Sequence, residues 1–129
     1  MSDKSIVQKL LLKEGQTFML FDAPEGYLAQ LGGLPAGITL LTRLDAPADV
    51  IQCFITSQAA LNEVAPRLKN ALKPRGILWV TYPKGKGTSK VKTDVNRDIL
   101  REIVVGFGFE TVALFSVDET WSAMRLKVV

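Results

Sequence analysis

Four short apolar runs, separated by stretches with helical periodicity, constrain this chain more than any other feature. Residues 17–21, 38–42, 50–56 and 77–82 are apolar almost throughout instead of alternating with polar residues. A strand of that composition is buried on both faces, as in a mostly parallel sheet covered by helices on each side. A helix is predicted over 2–13, with Ile6, Val7, Leu10 and Leu11 on one face and Gly15 as its stop. One or two helical turns fit 27–31, before Gly32-Gly33. Ser57 is placed to cap a helix whose buried stripe is Leu61, Val64, Leu68, Ala71 and Leu72. Pro66 lacks an amide donor and predicts a kink or restart near 62–65; Lys73-Pro74-Arg75-Gly76 then ends the helix. Thr93 or Asp94 is expected to cap a last helix with the stripe Val95, Ile99, Ile103 and Leu100. Two final strands, 110–117 and 121–128, are joined by Asp118-Glu119-Thr120, a turn too short for anything but an antiparallel pair.

The 129 residues make one domain, 1–129, with no linker and no repeat. Chemistry is narrowed by two counts: histidine is absent and cysteine occurs once. That excludes a Ser-His-Asp triad, a Cys-His pair, the usual Cys/His zinc site and a disulfide within the chain. Cys53, inside an apolar run, reads as a small buried hydrophobe. Trp79, Phe18, Phe21, Phe54 and Phe115 read as core, and no metal site is expected.

The net charge of +3 is local. Lys84, Lys86, Lys90 and Lys92 fall in one loop; without them 12 basic residues face 13 acidic ones. Sequence-specific nucleic-acid recognition is therefore not expected, and no aromatic lies in 84–98 to stack a base. The absence of a signal-like segment and of a membrane-length apolar run leads to the expectation of a cytoplasmic protein without membrane association.

In parallel sheets of this kind, ligands sit beyond the carboxyl ends of the strands. The loops there are 22–26, 43–49, 56–57, 82–93 and 118–120. Asp22 and Glu25 flank a tight turn and could accept hydrogen bonds from a ribose or an amine; the plainer explanation is turn chemistry with Pro24 and Gly26. Lys84 and Lys86, among glycines and hydroxyls, suit a phosphate, although the Gly-x-x-x-x-Gly-Lys spacing is absent. Thr93 and Arg97 flank a helix start, where capping competes with anion binding. Asp118, Glu119 and Trp121 could bind a cation or a polar ligand or form a charged turn under an indole lid, and Tyr27 and Tyr82 are placed to wall a pocket.

From Asp49 onward the chain resembles class I S-adenosylmethionine methyltransferases. The likeness rests on Asp49-Val50-Ile51, on Leu72-Lys73-Pro74-Arg75-Gly76-Ile77-Leu78 and on Gly106-Phe107-Gly108-Phe109-Glu110. It implies a three-layer Rossmann-like α/β fold, with a mostly parallel sheet and an antiparallel C-terminal strand pair. The first half departs from that family. Asp22-Ala23-Pro24-Glu25-Gly26-Tyr27 stands where a glycine-rich cofactor turn would be, and Leu41-Thr42-Arg43 where a ribose-binding acid would end the second strand. A full strand–helix–strand unit is missing between Thr42 and Asp49. Nearly end to end, the chain resembles a small group of bacterial proteins classed as a domain of unknown function, on Ala23-Pro24-Glu25-Gly26-Tyr27, Tyr82-Pro83-Lys84, Thr93-Asp94 with Arg97-Asp98, and Asp118-Glu119-Thr120-Trp121-Ser122. The resulting expectation is a Rossmann-like module without methyltransferase activity. It would bind a small anionic ligand or an acidic partner through Lys84, Lys86 and Arg97. An S-adenosylmethionine-dependent methyltransferase using Asp22, Glu25 and Asp45, and a homo-oligomeric or complex subunit, are the alternatives.

Overall fold

The computed structural model describes residues 5–43, 46–84 and 93–128. In chain order the elements are α1 (Ile6–Lys9), β1 (Thr17–Phe21), α2 (Tyr27–Leu31), β2 (Thr39–Leu41), β3 (Ala48–Phe54), α3 (Gln58–Ala71), β4 (Leu72–Pro83), α4 (Arg97–Gly106), β5 (Phe109–Ser116) and β6 (Trp121–Val128). The strands form one sheet in the order β2-β1-β3-β4-β6-β5. β2, β1, β3 and β4 run parallel, whereas β6 is antiparallel to both β4 and β5. β3 is central and its side chains are buried except at Asp49, which explains its unbroken apolar run.

Strand alternation sends side chains to two cores. On one face Met19, Ile51, Leu78, Val80, Met124 and Leu126 pack against Leu61, Val64 and Leu68 of α3 and Leu100 and Val104 of α4. On the other, Phe18, Leu20, Val50, Phe54, Trp79 and Trp121 pack against Val7 and Leu10 near α1 and Tyr27 and Leu31 of α2. Trp79 is core, and its indole donates to the Leu10 carbonyl at 3.0 Å. Phe18 and Phe54 are buried as expected, while Phe21 and Phe115 are only half-buried.

Several boundaries differ from those expected. α1 is a single turn, closed by a reciprocal cap between Ser5 and Gln8. Leu11 turns left-handed (φ 65°), so that Leu10 and Leu12, two apart, are both buried; a continuing helix would send them to different sides. α3 runs unbroken through Pro66, without the expected restart. Lys73-Pro74-Arg75-Gly76 does not lie between elements, because β4 begins at Leu72. While β3 advances from Ala48 to Val50, β4 advances from Leu72 to Ile77, so the extra residues bulge outward. α4 is capped by Asn96, whose side chain accepts from the Ile99 amide at 2.9 Å, and not by Thr93 or Asp94. Its buried residues are Leu100 and Val104; Ile99 and Ile103 are half-buried.

Candidate functional site at the carboxyl edge

The turn after β1 is built for a sharp change of direction. Asp22 (φ 57°) and Gly26 (φ 85°) both adopt the left-handed conformation, which Asp tolerates better than most side chains and Gly freely. Between them, Pro24 offers no amide. On one side of Asp22-Ala23-Pro24 lies a cleft of about 480 Å³, completed by Phe54, Ile55 and Thr56 from β3 and its end, Ala60 of α3 and Trp121 of β6. On the other side lies a smaller cleft of about 340 Å³, lined by the same three residues with Leu20, Gly26, Tyr27, Leu28 and Thr42.

An aromatic series underlies this edge. Tyr27 meets Phe54 edge to face at 4.7 Å, and Phe54 meets Trp121 in the same way at 5.0 Å. Tyr27 does not offer its hydroxyl to a ligand, because that group donates to Gln52 Oε1 at 2.9 Å. Gln52 in turn donates through Nε2 to Thr81 Oγ1 at 3.1 Å, and both residues are fully buried. Burial raises the Tyr27 phenol well above its ordinary value; the Asp118 charge adds to this and the Gln52 hydrogen bond opposes it.

The turn between β5 and β6 closes over the same rim. Asp118 accepts from the Thr120 and Trp121 amides, each at 2.8 Å, and from Gln30 Nε2 of α2, also at 2.8 Å. Burial alone would raise its carboxyl. The Gln30 hydrogen bond, the two amides and the Lys84 charge outweigh burial and hold it below its ordinary value. Lys84 donates its amide to the Thr120 carbonyl at 2.8 Å and its ammonium to Ser116 Oγ. Lys84, just past the end of β4, and the acidic turn at Asp118, distant in sequence, thus share one rim.

The expected site residues divide accordingly. Asp22 and Trp121 line the larger cleft and Tyr27 the smaller one. Glu25 is exposed on the β1–α2 turn, and Glu119 is exposed at the tip of the β5–β6 turn. Tyr82, Thr93 and Arg97 lie toward the α3–α4 face instead. Tyr82 is buried in the aliphatic core, and burial raises its phenol; the nearby Arg97 charge lowers it and that of Asp98 raises it. Thr93 Oγ1 accepts from the Val95 amide at 3.0 Å, and Arg97 pairs with Asp98 at 3.4 Å on an exposed surface. Lys86 and Asp45 lie outside the described residues. Cys53 is buried, and burial pushes its thiol far above the ordinary range, so it is inert packing and no nucleophile.

Reading the sequence missed Phe54, Thr56 and Ala60 as cleft walls and Gln30 as the tether of Asp118. The position of Thr56 at the carboxyl end of β3 was the one available signal; Gln30 gives none. No helix among the described residues is long and apolar enough to cross a membrane.

No family model and no curated protein matches the chain. Solved structures do. A SAM-dependent methyltransferase from Aquifex aeolicus superposes with a TM-score of 0.67 at 16% identity, over 96% of this chain and 90% of that one. DhpI in complex with SAH gives 0.66 at 11% identity, over 95% and 80%. A ribosomal protein L11 methylase from Lactobacillus delbrueckii subsp. bulgaricus gives 0.61 at 13%, over 95% and 74%. Identities this low speak to the fold. The β2-β3 connection, residues 42–47, contains no helix or strand among its described residues, where the sequence resemblance anticipated a missing unit. The chain has the Rossmann-like fold of the class I S-adenosylmethionine-dependent methyltransferases in a shortened form.

Proposed function

We propose that the protein is a non-methylating module of this fold that binds a small ligand in the larger carboxyl-edge cleft. The ligand carries an amine or other hydrogen-bond donor for Asp22 and an apolar body for Phe54 and Trp121. One observation supports this most: among the described residues lining the cleft, Asp22 is the sole charged group, and the remainder are apolar apart from Thr56. An anionic ligand was expected from Lys84, Lys86 and Arg97. Of the two described, Lys84 is turned to Ser116 and Arg97 to Asp98, and neither lines this cleft. A carboxylate in the wall disfavours an anion there. The non-methylating reading is supported by the turn itself, where Pro24 removes an amide and Gly26 is the one glycine, so the backbone offers little to a closely approaching nucleoside.

The test is calorimetric titration with S-adenosylmethionine, S-adenosylhomocysteine, adenosine and a set of primary amines, together with a labelled-methyl transfer assay. Saturable binding of an amine-bearing compound is expected, weakened about tenfold or more by Asp22→Asn, since a charge-assisted hydrogen bond is worth about 1.5–3 kcal/mol. Asn tolerates the left-handed backbone at this position, so the turn is kept. Flat titrations across the set would end the proposal. Methyl transfer from S-adenosylmethionine would replace it with the enzyme reading.

A further inference from the structure

The amino edge of the sheet, opposite the cleft just described, holds a second concavity of about 530 Å³. It is lined by Lys69, Asn70, Leu72, Lys73, Pro74, Arg75, Gly76, Lys127 and Val128. Four of these side chains are cationic and none is acidic. They come from three elements: the end of α3, the bulged start of β4 and the end of β6.

We propose that this concavity is a binding site for a multiply charged oxyanion, a polyphosphate or a phosphorylated small molecule. The site is only partly neutralised by the protein. Lys73 pairs with Asp49 at 3.4 Å and Lys127 with Glu110 at 3.8 Å, both acids lying outside the cleft lining. Lys69 reaches the Phe107 carbonyl at 3.4 Å, near the end of α4. The Arg75 guanidinium makes no hydrogen bond or ion pair with any described residue. Among the described residues, four cations against two carboxylates leave an excess of positive charge in a concave wall, where an anion gains most from it.

Arg75 carries φ 65°, a conformation unfavourable for a long side chain, although Gly76 stands next to it. Gly76 is needed for a different reason: a Cβ there would lie 2.6 Å from Leu72 Cδ1 and 2.8 Å from the Lys73 carbonyl oxygen. The bulge is therefore folded tightly upon itself, and Arg75 takes the strained position at the cleft. Strain of this kind collects at ligand sites. No aromatic ring lines the concavity among the described residues, so a stacked base has no partner, and a compact oxyanion fits better than a nucleic-acid strand.

Sodium tripolyphosphate is the probe, titrated calorimetrically into the full chain at low and physiological salt. Saturable binding is expected, weakened tenfold or more by Arg75→Gly and by Lys127→Gln and unchanged by Arg101→Gln on α4. Arg75→Gly relieves the left-handed strain while removing the guanidinium, so its thermal midpoint should hold or rise. Loss of binding in that variant then reports the site and not unfolding. Equal affinity in all variants, or no binding below millimolar concentration, would overturn the proposal. So would a single-stranded oligonucleotide that binds tighter than tripolyphosphate and is released by Arg75→Gly. Asp22→Asn should leave tripolyphosphate binding intact, which separates this site from the carboxyl-edge cleft.

Discussion

The two faces of the sheet are covered in different ways. The α3–α4 face is covered by helices of 14 and 10 residues, and its core is dominated by aliphatic side chains such as Leu61, Val64, Leu68, Leu78, Leu100 and Leu126. The α1–α2 face has helices of only 4 and 5 residues. It compensates with bulk and hydrogen bonds: Phe18, Phe54, Trp79 and Trp121 fill the space, the Trp79 indole is tied to Leu10, and Tyr27, Gln52 and Thr81 form a buried polar chain. A long helix covers a sheet with many small contacts, each replaceable. A short one leaves the covering to a few large side chains, each hard to replace. The candidate ligand cleft opens where the two faces meet at the carboxyl edge, lined by Phe54 and Trp121 of the aromatic face, by Ile55 and Ala60 of the other, and by the turn after β1.

The strongest way to break that contrast is to remove one large side chain from each face. Trp79→Ala should cost about 3–5 kcal/mol from the cavity alone, with the Leu10 carbonyl losing its donor as well. Leu68→Ala, fully buried on the inner face of α3, should cost about 2–5 kcal/mol with no hydrogen bond lost. Urea denaturation of the two variants checks the order. If Leu68→Ala proved the more damaging, the aromatic face would not be the more concentrated one.

Whether such features can be read in the sequence depends on how local their causes are. β1 falls at Thr17–Phe21, α2 at Tyr27–Leu31 and β6 at Trp121–Val128, the limits expected from apolar runs bounded by turn residues. The cap of α4 was misplaced because Thr93, Asp94 and Asn96 are all capping types within four positions. The choice is made by α3, whose Gln58 amide takes the Asp94 carboxylate at 2.8 Å. The bulge at 73–76 was hidden because Pro74 and Gly76 also describe an ordinary helix stop. The carboxyl edge was placed correctly as a rim, since topology alone dictates it, but the partners of its residues were not. Asp118 is held by Gln30, 88 positions away, and no local pattern encodes that contact.

Tyr27→Phe sharpens the comparison at the polar chain. It removes the donor to Gln52 Oε1 and leaves a buried acceptor without a partner, at a cost of about 1–3 kcal/mol. It also has a signature in alkali. Burial raises the Tyr27 phenol above its ordinary 10.0, and likewise raises Tyr82 and the Cys53 thiol. Groups raised in the fold lend stability that is complete below their unfolded values and is lost as pH climbs toward the folded ones. The protein should therefore weaken progressively above about pH 9–10, and Tyr27→Phe should flatten that decline while leaving the Cys53 and Tyr82 contributions. An unchanged alkaline slope would mean the Tyr27 phenol is not held neutral by the fold.

The smallest effect expected is at Asp118, where the aromatic face is latched to the β5–β6 turn. Its carboxyl is lowered in the fold, so the stability it lends is present above the unfolded value near 3.8 and is lost as pH falls through the folded one. Asp118→Asn keeps one acceptor oxygen for the Thr120 and Trp121 amides, but sets an NH2 group against Gln30 Nε2, so Gln30 must turn its amide to offer an oxygen; it also removes the charge that strengthens those bonds and attracts Lys84. Near neutral pH the variant should lose stability modestly; as pH falls below 3.8 the gap between wild type and variant should narrow. Thermal midpoints measured from pH 2 to 7 test this directly. A gap that persists undiminished in acid would mean the latch works through shape alone, and the electrostatic tie between α2 and the rim would have to be given up.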